Sequence, residues 1–371
     1  MTGREKWVKY LAGEDVGPMA CPLCDKWNVT GLPYEWDGPD PASYGLNGDP
    51  IGLCGQIMMA KTFGWDALFY AGVGFAPRDK SLEPRVSYAK KGGLTQTASV
   101  IATPLGEMTR VEESNGVTTR CVKDYLETAE DYEKMIWHTE KCMDFDRESS
   151  LDQGRKLREA VGDLGMLGTW VSPSVHMTDV QKLFYHCMDY PVEFGRLCAA
   201  RRESQKKRLE VYREAGFDFM FYCVSGTEQI SPGFFAEWMR EEALSNINWW
   251  RSLGGFTVWH SCGLIKAFLE RGIYNEFLPE VFETISEPPV GDVPSLAWAC
   301  DRLDPRIAGK GNIPLDVALS GTPDDVREAV RKIKNQTAGR RHIIGFSDAI
   351  LPGTPAENLY AFVSESGTGR Q

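Results

Sequence analysis

The sequence predicts an α/β protein built as a (β/α)8 TIM barrel with a loop-rich, hairpin-containing N-terminal extension. From residue 151 onward, short apolar runs alternate with helical stretches, which is the pattern of parallel strands joined by helices. So many units in one chain favour a closed barrel over an open doubly wound sheet. No glycine-rich dinucleotide fingerprint follows an early strand, so the usual support for the open sheet is missing. We expect residues 1–371 to form a single domain.

Residues 1–150 are predicted to form the extension, the first strand and the hairpin. Apolar spacing and capping residues predict helices over 4–11, 51–63 and 128–141, and strands over 67–70, 94–105, 108–111 and 117–122. Asn115-Gly116 tolerates positive φ and predicts the hairpin turn. Between these elements, residues 25–50 form a loop in which Trp36 is a candidate substrate-binding residue at the mouth. Packing of this loop on its own aromatic side chains is the alternative.

Residues 151–371 are predicted to form the regular β/α units. The predicted strands are 166–171, 217–222, 256–260, 281–286, 305–313 and 342–346. The predicted helices are 151–161, 178–188, 191–214, 233–252, 264–271 and 324–335, with a last helix from about Thr354. Because barrel enzymes keep their chemistry at the carboxyl ends of the strands, residues just after each strand are the candidates for a site.

Charge and cysteine content limit the partners and the compartment. The net charge of −11 argues against a nucleic acid or an anionic membrane surface as a partner. No apolar run approaches the length of a membrane span, and Met1 to Lys6 lacks the apolar core of a signal peptide. Ten cysteines without such a signal favour free thiols in a reducing compartment, so we expect a cytoplasmic enzyme. The oligomeric state stays open, with a homodimer as one option.

The segment Val258-Trp259-His260-Ser261-Cys262-Gly263 is the strongest local candidate for a site. A His and a Cys two residues apart on a strand point to the same face. Imidazole and thiolate together suit zinc. The pattern alone is more often core packing than a ligand pair, so it needs partners elsewhere in the chain.

Eight segments carry a resemblance to a known family. In chain order they are Val16-Gly17-Pro18, Thr103–Gly106, Leu126–Tyr132, Ala215–Asp218, Ile230-Ser231-Pro232, Trp259–Gly263, Gly309–Ile313 and Pro352–Asn358. Together they resemble the uroporphyrinogen decarboxylase superfamily, over about residues 4–363. The true decarboxylases carry an Arg-Gln-Ala-Gly-Arg motif near the N-terminus, whereas this chain has no arginine between Arg4 and Arg78. A substrate with many carboxylates needs guanidinium partners, so porphyrinogen decarboxylation is not expected.

The other branch of this superfamily contains zinc-dependent methyltransferases that work with corrinoid proteins. Their signature is His-x-Cys on one strand and a Cys four residues before the proline of a late Pro-x-Thr-Pro motif. His260 and Cys262 match, but Asp348 stands where that second thiolate would be. The resemblance also implies an acidic ligand on an intervening strand. Glu287 is the match for this ligand, with Glu283 as the competitor.

This resemblance implies a methyltransferase that takes a methyl group from a small methoxylated compound. The acceptor would be the Co(I) of a corrinoid on a separate protein, because the chain has no cobalamin-binding Asp-x-His-x-x-Gly segment. A site with carboxylate ligands is harder than a His/Cys/Cys site, which favours an oxygen-linked methyl group such as an aryl ether. One alternative is a methylcobamide:thiol methyltransferase acting on a coenzyme M-like thiol. Another is a non-catalytic binding protein on a decarboxylase-like barrel.

Further residues near predicted strand ends are candidates for substrate contact. Glu228 and His176 are the candidate catalytic residues, for proton transfer and for donation to a substrate oxygen. Tyr222, Trp259 and Asn312 join Trp36 as candidate substrate-binding residues, the aromatic ones by stacking. Trp170 also lies at a predicted strand end, where it could stack. The alternatives are a surface loop glutamate for Glu228 and core packing for each aromatic side chain.

Overall fold

The computed structural model describes residues 1–23, 29–31, 52–116, 118–174, 180–224 and 226–368. The strands are β1 (Met19–Ala20), β2 (Val29–Thr30), β3 (Ala67–Tyr70), β4 (Arg85–Lys91), β5 (Leu94–Thr103), β6 (Gly106–Ser114), β7 (Thr119–Lys123), β8 (Gly165–Val171), β9 (Phe219–Cys223), β10 (Phe256–His260), β11 (Val281–Glu283), β12 (Ala308–Ile313), β13 (His342–Phe346) and β14 (Thr354–Pro355).

The helices connect these strands. They are α1 (Gly3–Leu11), α2 (Leu53–Phe63), α3 (Ala129–Lys141), α4 (Arg147–Val161), α5 (Val180–Asp189), α6 (Pro191–Glu214), α7 (Pro232–Phe234), α8 (Arg240–Ser252), α9 (Lys266–Glu270), α10 (Ile273–Phe277), α11 (Leu296–Cys300), α12 (Leu315–Ser320), α13 (Pro323–Gln336) and α14 (Ala356–Ser366). A 3₁₀ turn at Lys80–Leu82 and a π-helical turn at Phe235–Met239 complete them. None of the helices in the described ranges is long and apolar enough to cross a membrane.

An eight-stranded parallel sheet confirms the predicted (β/α)8 barrel. Its strand order is β1-β13-β12-β11-β10-β9-β8-β3. The two ends of this order meet where the Asp66 N–H donates to the Ala20 carbonyl oxygen at 2.8 Å. The Asp66 carboxylate also accepts from the Ala20 N–H at 3.0 Å, which further links β1 to the start of β3. Strand β1 was not predicted, because two residues carry no periodicity.

Side-chain alternation along the strands separates two buried layers. One layer is a shared cluster that takes one side chain from most barrel strands; its strand members are Met19, Leu68, Met166, Phe219, Phe221, Cys223, Val258, Val281, Ala308 and Ile343. Their neighbours in sequence, such as Tyr222 and Trp259, point the opposite way, towards the helices. This cluster fills the barrel interior, so His260, two residues after Val258, also points inward.

The described residues group into two compact units. One contains Met1–Gly72, Asp152–Pro173 and Tyr212–Gln371, and the other contains Val73–Leu151 and Ser174–Val211. The second unit holds the antiparallel sheet β4-β5-β6-β7. The single-domain expectation stays an expectation.

The hairpin turn between β6 and β7 follows the predicted chemistry. Gly116 has φ of 90°, and the Asn115 side-chain oxygen accepts from the Thr118 N–H at 2.7 Å. Strand β4 was not predicted, because all seven of its residues are exposed and its alternation is short, with Val86 and Tyr88 on one face.

Candidate metal centre

Three donor side chains converge at the carboxyl ends of β10 and β13. The donor atoms of His260, Cys262 and Asp348 all lie within 4.8 Å of one another. Two of these residues were expected on one strand, but β10 ends at His260 and Cys262 lies in the following loop. The structure thus brings together the His-x-Cys pair and the carboxylate that is 86 residues further along the chain.

The loop that carries Cys262 is held by hydrogen bonds on both sides. Ser261 is fully buried, its hydroxyl shares a hydrogen bond with Tyr274 at 3.0 Å, and its N–H donates to Thr284. The Cys262 carbonyl oxygen accepts from both the N–H and the hydroxyl of Thr227, at 3.2 and 2.7 Å. These contacts fix the thiol relative to His260.

Asp348 follows β13 at the same end of the barrel. The preceding residue is held in place because the Ser347 N–H donates to the Ile313 carbonyl oxygen at 2.8 Å. One Asp348 oxygen, Oδ1, accepts from the Ala349 N–H at 2.6 Å. The carboxylate is half-buried.

A buried carboxylate orients His260. Nδ1 of the His260 ring lies 2.7 Å from Glu283 Oε1, and the other Glu283 oxygen contacts the ammonium group of Lys310. An ionised carboxylate can only accept hydrogen bonds, so Nδ1–H donates to Glu283 and Nε2 is the nitrogen that could bind a metal. Metal-binding histidines commonly donate their second nitrogen to a carboxylate in this way.

These contacts shift the pKa values of His260 and Glu283 in opposite directions. Burial acts to lower the pKa of His260, but its hydrogen bonds to Cys262 and Glu283 outweigh burial and raise the pKa well above the usual range. Burial acts to raise the pKa of Glu283, but Lys310 and His260 outweigh it and lower the pKa to about 2. The carboxylate is therefore ionised at neutral pH.

Glu287 is not brought to this group of donors. Its Oε1 accepts from the Leu296 N–H at 3.1 Å, and its Oε2 pairs with Lys332 at 3.0 Å. The assignment of Glu287 over Glu283 was wrong, because the Glu287 oxygens contact Leu296 and Lys332, whereas Glu283 contacts His260. The acidic residue of this strand that contacts the site is Glu283, as the partner of His260.

Two further candidates lie near the carboxyl ends of barrel strands. Glu228 is exposed, and a β-carbon on Gly263 would stand 2.1 Å from its Oε2. A glycine after Cys262 therefore lets the Glu228 carboxylate lie against this loop. Asn312 is buried and donates to the Ile285 carbonyl oxygen at 3.0 Å and to Glu287 at 3.4 Å, so it links two strand ends.

The structure contradicts substrate contact by Tyr222 and Trp259. Both are fully buried and pack on each other with ring centroids 5.1 Å apart. Trp259 also packs on Phe277 at 4.8 Å, so it faces the helices. The same alternation that turns His260 inward turns its neighbour outward. Trp36 and His176 lie outside the described residues.

Trp170 is an exposed aromatic residue beside the centre. It lies near the carboxyl end of β8, is 50% exposed, and its ring centroid is 6.3 Å from that of His260. It also packs on Phe221 at 4.3 Å. The signal that separates it from Trp259 is its phase on the strand, which it shares with the inward-facing Met166.

The donor set fits a zinc ion. One imidazole nitrogen, one thiolate sulfur and one carboxylate oxygen are ligands that zinc accepts. Three protein ligands leave a fourth position for a substrate, which is the arrangement of a catalytic site. The hydrogen bond from His260 Nδ1 to Glu283 supplies the expected support for the imidazole.

Comparisons with known proteins agree with this fold. The family model described as "Uroporphyrinogen decarboxylase (URO-D)" matches residues 100–367. Curated uroporphyrinogen decarboxylases are similar over a short segment: the protein of Synechococcus sp. (strain CC9902) is 40% identical over 77 residues, which are 19% of this chain and 22% of that protein. That of Prochlorococcus marinus (strain MIT 9313) is 35% identical over 83 residues, 21% and 23% of the two chains. The matches thus span less than a quarter of these relatives' length.

A solved structure shares the architecture over almost the whole chain. The structure described as a methyltransferase from Methanosarcina mazei covers 99% of this chain and 98% of its own, with a TM-score of 0.63 and 15% sequence identity. At this identity the likeness concerns the fold alone.

Proposed function

The chain belongs to the uroporphyrinogen decarboxylase family, and on this premise we propose that it is a zinc-dependent methyltransferase. The methyl group would pass from the oxygen of a small methoxylated aromatic compound to the Co(I) of a corrinoid carried by a separate protein. The observation that carries this proposal is the convergence of His260, Cys262 and Asp348 within 4.8 Å at the mouth of the barrel.

The arginine content argues against the reaction for which the family is named. Recognition of a substrate with many carboxylates needs guanidinium groups, and residues 5–77 contain none. The similarity to curated decarboxylases covers 22% of the Synechococcus protein, so it does not carry that protein's activity to this chain.

His260, Cys262 and Asp348 would hold the zinc ion, which would act as a Lewis acid on the oxygen that bears the methyl group. Demethylation would leave the electron pair of the broken carbon–oxygen bond on the substrate oxygen, and the corrinoid of the partner protein would supply the electron pair that accepts the methyl group. Trp170 would stack on the aromatic ring of the substrate. Glu228, beside the loop of Cys262, would relay a proton from solvent to the departing oxygen.

Asp348 favours an oxygen-linked methyl group over a thiol. An oxygen donor makes the metal site harder than a site with two thiolates. Methyl transfer to or from a thiol is therefore the less favoured reaction. The described methyltransferase of Methanosarcina mazei shares the fold, which is compatible with this proposal and adds nothing on the substrate.

Two measurements test the proposal. Elemental analysis of the purified protein is expected to give about one zinc per chain. Incubation with a Co(I) corrinoid protein and a panel of methoxyarenes is expected to change the cobalt absorption spectrum for at least one substrate. The Asp348→Ala variant is expected to bind zinc more weakly and to lose activity, whereas Glu287→Gln, which alters a carboxylate outside the donor group, is expected to retain both.

Two results would contradict the proposal. A folded protein without zinc would favour a non-catalytic binding role on the same barrel. A zinc-loaded protein that demethylates no methoxyarene, but transfers methyl from the methylated corrinoid to a thiol, would favour the thiol methyltransferase.

A further inference from the structure

A second feature of the barrel interior lies directly behind the donor group. Glu283 is 2% exposed and Lys310 is 3% exposed, and they form an ion pair. The two residues lie on β11 and β12, next to β10, where His260 and Glu283 occupy paired register positions. Lys310 contacts one carboxylate oxygen, Oε2, and His260 Nδ1 contacts the other, Oε1.

Stability alone does not explain this ion pair. Taking two charges out of water is unfavourable, and apolar residues of similar size often replace a buried ion pair with neutral or improved stability. The layer around the pair is apolar, with Val281 and Ala308 on the same strands. A chain selected for stability alone would fill these two positions with apolar side chains.

Lys310, Glu283 and His260 form a series of contacts in which each side chain orients the next. Lys310 occupies Oε2, so the carboxylate presents Oε1 to His260. The carboxylate accepts from Nδ1, which fixes the ring rotamer and the position of its proton. The nitrogen that remains, Nε2, is the one left for the group formed with Cys262 and Asp348.

We propose that Lys310 and Glu283 are positioning residues of the metal centre, with Lys310 fixing the carboxylate that holds His260 in its metal-binding orientation. This inference rests on the proposed function in that it concerns the same three donors. It adds Lys310 to the site, although lysine is not one of the residues expected to bind the metal.

The double variant Glu283→Met, Lys310→Met tests the proposal, because it removes both charges of the ion pair together. Its zinc affinity, measured by competition with a chelator, is expected to fall about 10- to 100-fold. Its resistance to urea is expected to stay close to that of the wild type, because the lost acceptor of the His260 Nδ1–H offsets the gain from removing two buried charges. The matched control is Lys332→Met, which breaks the exposed ion pair with Glu287 and is expected to leave zinc affinity unchanged.

A nuclear magnetic resonance readout separates positioning from activity. With five histidines in the chain, selective ¹⁵N labelling allows the Nδ1 proton of His260 to be assigned. A protected, downfield Nδ1–H signal is expected in the metal-free wild type and is expected to be lost in the double variant. Glu283→Gln provides a second test if the double variant does not fold, with an expected loss of zinc affinity of about tenfold.

The outcomes distinguish this inference from the proposed function. A folded double variant, or Glu283→Gln, with wild-type zinc affinity and an unchanged Nδ1–H signal would overturn the positioning role and leave the methyltransferase intact. A wild type that shows the protected Nδ1–H signal and binds zinc through His260, but transfers no methyl group, would support the positioning role and overturn the function.

Discussion

Two histidines on barrel strands show how differently the same side chain is used in one protein. His260 ends β10 and His342 begins β13, and burial acts to lower the pKa of both. Contacts with Cys262 and Glu283 raise the pKa of His260 well above its usual range. Burial and the nearby charge of Lys310 lower the pKa of His342 to about 4, although a hydrogen bond to Gly311 opposes them.

The difference teaches that the partners of a buried histidine, more than its burial, decide its role. His260 contacts a carboxylate through Nδ1, and its Nε2 is left for the donor group with Cys262 and Asp348. His342 donates Nε2 to the Gly311 carbonyl oxygen at 2.7 Å, which is a structural contact. Lys310 separates the two cases, since its charge supports Glu283 beside His260 and disfavours a charged His342.

Removing a donor is expected to have the largest effect. Cys262→Ala should reduce bound zinc to trace levels and lower kcat by about a thousandfold, because Lewis-acid stabilisation is worth several kcal/mol. Zinc content and single-turnover rates measure this. Cys142→Ala, which removes another half-buried thiol, is the control and should leave both unchanged. Full zinc occupancy in Cys262→Ala would exclude this thiolate as a ligand.

His342 is expected to make stability depend on pH. Its pKa is lowered to about 4 in the folded state from a usual value of 6.5, so protonation favours the unfolded chain. The contribution is fully present above pH 6.5 and is lost as the pH falls to about 4, by at most about 3 kcal/mol. Urea unfolding of the wild type and His342→Gln across this range measures it. The variant should lose less stability on acidification, and parallel curves would contradict the assignment.

Much of the barrel was predictable because periodicity is a property of the sequence. Strands β3, β10 and β13 have the predicted boundaries, and the fold class was confirmed. Strand β1 could not be found, because its two residues pair with β13 only through the tertiary fold.

The candidate site was predictable as a set of positions but not as a set of contacts. His260, Cys262 and Asp348 were anticipated from the resemblance, and the structure brings them together. Glu283 and Glu287 were both plausible, since the match to the family's acidic residue could shift by a few positions, and only their hydrogen bonds separate them. Lys310 went unnoticed because a charged side chain inside a barrel has no local signature. Its phase, shared with the inward-facing Ala308, was the available clue.

Two tryptophans differ in the same way as the two histidines, and substituting them is expected to have the smallest effects. Trp170 is 50% exposed beside His260, whereas Trp259 is fully buried on the opposite side of the sheet. Trp170→Ala should raise KM for an aromatic substrate about 2- to 13-fold, because a stacking contact is worth about 0.5–1.5 kcal/mol, and should leave zinc content unchanged. Trp259→Phe should instead lower the free energy of unfolding by about 0.5–3 kcal/mol with KM unchanged. Steady-state kinetics and urea unfolding of both variants measure the contrast, and an unchanged KM in Trp170→Ala would remove this side chain from the substrate site.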